Sequence, residues 1–147
     1  MAQPVLSVRA IRIRRPPVAT DTVFKLVQRE LGLVGFAGDM IRAMANYPAQ
    51  QPSRYRRTGN LGRGWKIGRR VRSRQTTSIE VLNRVRYAVR VQGPRRGRKG
   101  RRQTAAMRQR GWPDITTESK RVWRRHRPGI IRIITQRDPR VRRRRAR

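Results

Sequence analysis

The chain has 147 residues and carries 40 Lys and Arg against 7 Asp and Glu, a formal net charge of +33. A chain so unbalanced repels itself, so its working state calls for a polyanion or for acidic neighbours. The absence of cysteine excludes a disulfide framework, thiolate metal sites and thiol redox chemistry, and no apolar run approaches the ~20 residues that span a bilayer.

Only Lys25, Lys66, Lys99 and Lys120 are lysines, so the positive charge is almost all arginine. The planar guanidinium forks onto phosphate oxygens and stacks on bases, which points to phosphate contact beyond mere solubility. Met1 to Arg15 lacks the apolar middle of a secretory signal, so a soluble protein made in a cytoplasm is expected. The apolar residues, 35% of the chain, permit one modest core with basic extensions. The expected organisation is an N-terminal strand or arm over 1–19, a single α+β domain over 20–136 with long loops at 48–64 and 93–111, and an arginine-rich tail over 137–147.

In chain order, residues 5–14 are rich in β-branched side chains with partial alternation and stop at Pro16-Pro17, which reads as a strand or extended arm. Thr20 or Asp21 can cap a helix that places Val23, Val27, Leu31 and Val34 on one face. Phe36, Met40, Ala43, Met44 and Tyr47 form a second stripe. Gly32, Gly35 and Gly38 mark a bend between the two, and Asn46-Tyr47-Pro48 ends the helix. Residues 48–64 lack apolar periodicity and read as a long loop. Trp65, Ile67 and Val71, then Ile79 to Asn83, then Tyr87, Val89 and Val91 predict an antiparallel meander, with Trp65 and Tyr87 in the core. Gly93 to Gly111 reads as a basic loop. Beyond Pro113, Asp114 or Thr116 can cap a helix carrying Ile115, Val122 and Trp123, broken near Pro128-Gly129 and followed by Ile130, Ile131, Ile133 and Ile134. The tail after Pro139, RVRRRRAR, is expected to be disordered until an anion orders it.

Catalytic chemistry finds little to work with. Asp21, Glu30, Asp39, Glu80, Asp114, Glu118 and Asp138 are scattered along the chain, and the pair Asp114 and Glu118 is explained by the dipole of the helix they start. His126, the only histidine, has Arg125 and Arg127 beside it and reads as solvated or phosphate-facing. The run Gly59-Asn60-Leu61-Gly62-Arg63-Gly64 has the spacing G-x-x-G-x-G, which fits neither the P-loop nor the dinucleotide fingerprint, and it reads as a tight turn before the Trp65 strand. No catalytic, metal or cofactor-binding residues are assigned, and the protein is not expected to be an enzyme.

Three clusters, Arg54 to Arg74, Arg95 to Arg110 and Arg140 to Arg147, contain no acid at all, unlike an ordinary solvated face with mixed signs. Nucleic-acid contact is therefore assigned to Arg95, Arg96, Arg98, Lys99, Arg101 and Arg102 in the loop. In the tail it is assigned to Arg140, Arg142, Arg143, Arg144, Arg145 and Arg147. No base-reading constellation is visible, so phosphate contact without strong sequence preference is expected.

The middle of the chain carries a more specific pattern. Tyr47-Pro48, the stretch Arg54-Tyr55-Arg56-Arg57-Thr58-Gly59-Asn60-Leu61-Gly62-Arg63-Gly64-Trp65, then Asn83, Tyr87-Ala88, Val91-Gln92-Gly93 and Arg110-Gly111-Trp112-Pro113 follow one another over residues 36 to 125. Together they resemble the tail-component family of tailed bacteriophages, which covers neck, head–tail joining and tail-completion proteins. The resemblance implies a small α+β virion subunit that forms a homo-oligomeric ring between portal and tail, touches neighbouring portal, connector or tail proteins, and has no catalytic activity. The loop would then shape a subunit interface through Arg54, Tyr55, Arg56 and Arg57. Arginine beside a glycine turn suits that role, since it can dock carboxylates or carbonyls of a neighbour. The chain departs from the family in its more basic Gly93 to Gly111 loop and in the part after Trp112, which leaves open an unusually strong contact with packaged DNA or a different role on a borrowed fold. The alternatives are a ribosomal or other RNA-scaffold protein and a nucleoid-like DNA-packaging protein.

The fold class expected from all this is α+β: a small antiparallel sheet of three to four strands, an N-terminal helix or helix pair, a C-terminal helix and a basic tail.

Overall fold

The structure, a computed structural model, describes residues 6–8, 13–15, 19–32, 34–48, 59–73, 75–96 and 102–136. In chain order its elements are β1 (Leu6–Val8), β2 (Ile13–Arg14), α1 (Asp21–Glu30), α2 (Phe36–Ala45), α3 (Asn60–Arg63), β3 (Trp65–Arg72), β4 (Thr76–Asn83), α4 (Ala88–Gln92), α5 (Ala105–Gln109) and α6 (Ile115–Gln136). The fold is α+β. One antiparallel sheet has β4 at its centre, with β3 along one edge and β1 and β2 sharing the other. Along β4 the side chains of Thr77, Ile79, Val81 and Asn83 are buried on one face, the period-two pattern of a half-covered sheet. Helix α2 packs against β3 and β4, and α6 packs against α1 and α2.

The helices begin where local chemistry places them. The Thr20 hydroxyl accepts a hydrogen bond from the Val23 amide at 3.3 Å, and Asp21 lies in the first turn, where the dipole favours it. The Asp114 carboxylate accepts from the Thr117 amide at 2.9 Å and opens α6 in the same way. Val27 and Leu31 on one side, and Phe36, Met40 and Met44 on the other, are buried in the common core, and Val23 is buried as well. Each such side chain contributes about 1.5 to 3 kcal/mol of transfer free energy.

The observed structure differs from expectation in several places. Tyr87, Val89 and Val91 form no third meander strand: residues 88–92 are the short helix α4, and Tyr87 is 39% exposed at its start. Five residues are too few for the alternation of two valines to select a strand, and the turn is set by Gln92, which reaches into the core. Val34 is 80% exposed, because α1 has ended before it and the helical stripe does not continue. The two long loops contain helical turns, α3 and α5, in their described parts. Helix α6 runs unbroken through Pro128. The ring lies on the exposed side, where water can take the carbonyl that proline leaves unbonded, while Val122 and Ile130 anchor the helix to the core on either side.

Candidate nucleic-acid interface

Helix α6 has one buried face and one basic face. Ile115, Val122 and Ile130 are buried, with Trp123 and Ile133 packed beside them. On the opposite side Lys120, Arg124 and Arg127 recur at i, i+4 and i+7 and are exposed, and none has a carboxylate partner among the described residues. Arg121 pairs with Glu118 at 2.6 Å, and Arg125 lies 3.7 Å from Asp39. The result is a straight row of unpaired cations on a rigid helix, which can follow a phosphate backbone without reading bases. Sequence reasoning overlooked this row because it read basic residues as acid-free runs along the chain and not by helical face. The spacing of the three cations opposite Val122 and Ile130 was the available signal.

Of the loop residues assigned to nucleic acid, Arg95, Arg96 and Arg102 are described and exposed. Arg95 pairs through Nε with the Asp114 carboxylate at 2.9 Å, so part of its charge holds the start of α6. Arg96 and Arg102 have no carboxylate partner among the described residues. Arg98, Lys99 and Arg101 lie outside the described residues, as do Arg140, Arg142, Arg143, Arg144, Arg145 and Arg147 of the tail, and Arg54, Tyr55, Arg56 and Arg57 of the expected subunit interface.

The motif residues that are described converge. The Trp65 indole Nε1 donates to Gln92 Oε1 at 2.8 Å, and Gln92 Nε2 donates to the Met44 carbonyl at the end of α2. Asn83 Nδ2 donates to the Leu61 carbonyl at 2.7 Å, and its Oδ1 accepts from the Val85 amide at 2.9 Å. The Tyr47 hydroxyl accepts from the Gly62 amide at 2.6 Å, while its ring lies 5.1 Å from that of Trp112. Gln103 closes the group by donating to the carbonyls of Val91 and Trp112 at 2.8 and 2.9 Å. The glycine run is thus the helical turn α3, not a bare turn. Gly59 starts it at φ +72°, a conformation that side chains disfavour, and at Gly64 a Cβ would collide with Asn83 and Val85. These glycines serve backbone geometry, and Asn83 and Gln92, each fully buried, satisfy carbonyls that would otherwise be orphaned.

His126 is not solvated as its neighbours suggested. Its side chain is 11% exposed, with Nδ1 at 2.7 Å from Glu30 Oε1 and Nε2 at 2.9 Å from Asp39 Oδ2, and its ring is edge-on to Phe36. The histidine therefore clasps α6 to the end of α1 and the start of α2. The hydrogen bond from His126, helped by one from Arg42, holds the Asp39 carboxyl below the usual carboxylate range against the opposing effect of burial. Both ring nitrogens thus lie within hydrogen-bond distance of a carboxylate, which commits the ring to the contact between the helices. Among the described residues no group of three or more His, Asp or Glu side chains is placed to hold a metal ion, and no helix is long and apolar enough to cross a membrane.

Comparisons with protein-family models, with curated proteins and with solved structures return no match to this chain.

Proposed function

We propose that the protein is a structural virion subunit of a tailed phage, a ring-forming neck, head–tail joining or tail-completion protein whose basic surface lies near packaged DNA. The reading makes it a non-enzymatic component, assembled in the host cytoplasm. The observation that carries it is the convergence of the motif residues. Tyr47, Leu61, Gly62, Trp65, Asn83, Gln92 and Trp112 are spread along the chain, yet they meet in hydrogen-bonded and ring contacts that join α2, α3, β3, β4 and α4. A motif that is one physical unit is better support for a shared architecture than short matches of unconnected residues. The unpaired cations of α6 supply the second half of the reading, contact with a polyanion.

Electron microscopy of purified particles containing the chain tests the proposal. A closed ring of copies on the particle axis is expected, and a single copy seated among RNA helices would replace the reading with that of an RNA scaffold. Changing Arg54, Arg56 and Arg57 together to Gln is expected to leave the melting temperature of the isolated protein unchanged and to abolish ring assembly. Normal rings from that variant would remove these arginines from the interface.

A further inference from the structure

A second basic feature lies away from α6, at the open side of α1. A cleft of about 390 Å³ is lined by Lys25, Gln28, Arg29, Gly32 and Val34 from α1 and the turn after it, and by Arg70 and Arg72 from β3. We infer that this cleft binds the phosphate backbone of one nucleic-acid strand. The inference rests on the nucleic-acid part of the function proposed above and is independent of the ring.

The arginines reach the cleft through an irregularity in the sheet. In β3, Ile67 lies opposite Val81, but Arg70 lies opposite Ile79, so three residues of β3 span two of β4. Directly opposed residues share a face, and Val81 and Ile79 both face the core. Without the bulge, Val71 would follow Ile67 onto the helix-covered face. With it, Arg70 and Arg72 take that face, toward α1, and Val71 goes to the other, beside Ser78. Bulges re-aim side chains in this manner at functional sites. Glu80 remains on the far face, where it accepts from the Arg69 amide at 3.3 Å, so no carboxylate lines the cleft.

The charges are also unspent. Lys25, Arg29, Arg70 and Arg72 make no side-chain ion pair or hydrogen bond with another described residue. Lys25 and Arg29 are one helical turn apart, a like-charge spacing that destabilises the helix unless an anion lies between them and solvent. The helix pair steps by about 6 Å along the cleft, and the strand pair by about 6.6 Å. Both steps are close to the distance between successive phosphates of one strand. Two rails of cations at that step, with Gln28 as a neutral donor and the 80% exposed Val34 at the rim to meet a sugar or base face, make a groove that tracks a backbone. Arginine, present on both rails, forks onto phosphate and carboxylate alike, so the experiment compares the two.

The test uses the full-length protein and a labelled oligo-dT titrated by fluorescence anisotropy at several KCl concentrations. The variants are K25Q/R29Q/R70Q/R72Q and a charge-matched control, R84Q/R86Q/R90Q/R108Q, whose residues are exposed and do not line the cleft. Each single-strand phosphate contact contributes a slope of about −0.7, so the cleft variant is expected to flatten the plot of log affinity against log salt by up to about 2.8, and the control by less than about 1. K25Q/R29Q, which leaves the sheet untouched, should flatten it by about half as much as the full cleft variant. DNA is also expected to protect Lys25 from acylation. Equal losses from cleft variant and control, with Lys25 unprotected, would overturn the inference while leaving the proposed function in place. A parent protein with no salt-dependent DNA binding would overturn both the inference and the nucleic-acid part of the proposed function. Loss of poly-glutamate binding without loss of DNA binding would assign the cleft to an acidic protein and overturn it as stated.

Discussion

Trp65 offers the sharpest test of how the motif holds the fold. The side chain is 4% exposed, and its Nε1 donates to Gln92, which is fully buried. Trp65→Ala removes the indole and leaves a cavity, about 3 to 5 kcal/mol for a residue of this size. It also strands the Gln92 oxygen without a donor, about 1 to 3 kcal/mol more. The sum is comparable with the roughly 5 to 15 kcal/mol total stability of an ordinary domain, so the Ala variant is expected not to accumulate as folded, soluble protein. Trp65→Phe separates the two contributions. It keeps most of the apolar bulk and removes the donor, so a loss of about 1 to 3 kcal/mol is expected, mainly from the orphaned amide.

Urea unfolding followed by circular dichroism reads these changes as shifts of the midpoint. The Phe variant in a Gln92→Leu background completes a double-mutant cycle. Gln92→Leu alone frees both the indole N–H and the Met44 carbonyl, and the combined variant should lose less than the sum of the single changes, with a coupling of about 1 kcal/mol. Strict additivity would show that the bond contributes nothing. A Trp65→Ala protein that melts like its parent and fails only in assembly would show that Trp65 is an exposed interface anchor, contrary to its burial.

Asp39→Asn should cost about 1.5 to 3 kcal/mol near neutral pH, because it removes the carboxylate that His126 and Arg42 engage. The folded carboxyl is held below its ordinary value of 3.8, so its contribution is fully present above that value and is lost as pH falls through the depressed folded value. Thermal melts of parent and variant should therefore differ by a constant amount from pH 5 to 7 and converge in acid, whereas a gap that widens below pH 4 would contradict the assignment. Truncation after Pro139 should flatten the salt dependence of duplex DNA binding by up to about 5 units if all six tail arginines engage phosphates. Identical slopes for the two lengths would mean that the tail meets solvent or acidic protein, and a large preference between two unrelated DNA sequences would reveal a base-reading element.

What could be read from residue order was local in its physics. The Thr20 and Asp114 caps, the stripe from Val23 to Leu31, the second stripe from Phe36 to Met44 and the strands at Trp65 and Ile79 depend on hydrogen bonds and side-chain periods within a few residues. The absence of acids from the basic runs is likewise visible without any coordinates. Tertiary packing decided the remainder. Two alternating valines suit a strand or a helical turn equally, and only the bond between Gln92 and Trp65, 27 residues away, resolves residues 88–92 as α4. Pro128 is compatible with α6 because core contacts on both sides hold the helix through it. The clasp at His126 joins residues 96 and 87 positions apart, and the bulge that turns Arg70 and Arg72 toward α1 exists only in the pairing of β3 with β4. Such pairings are set by which surfaces meet after the chain closes its long loops, and no spacing in the sequence records that choice.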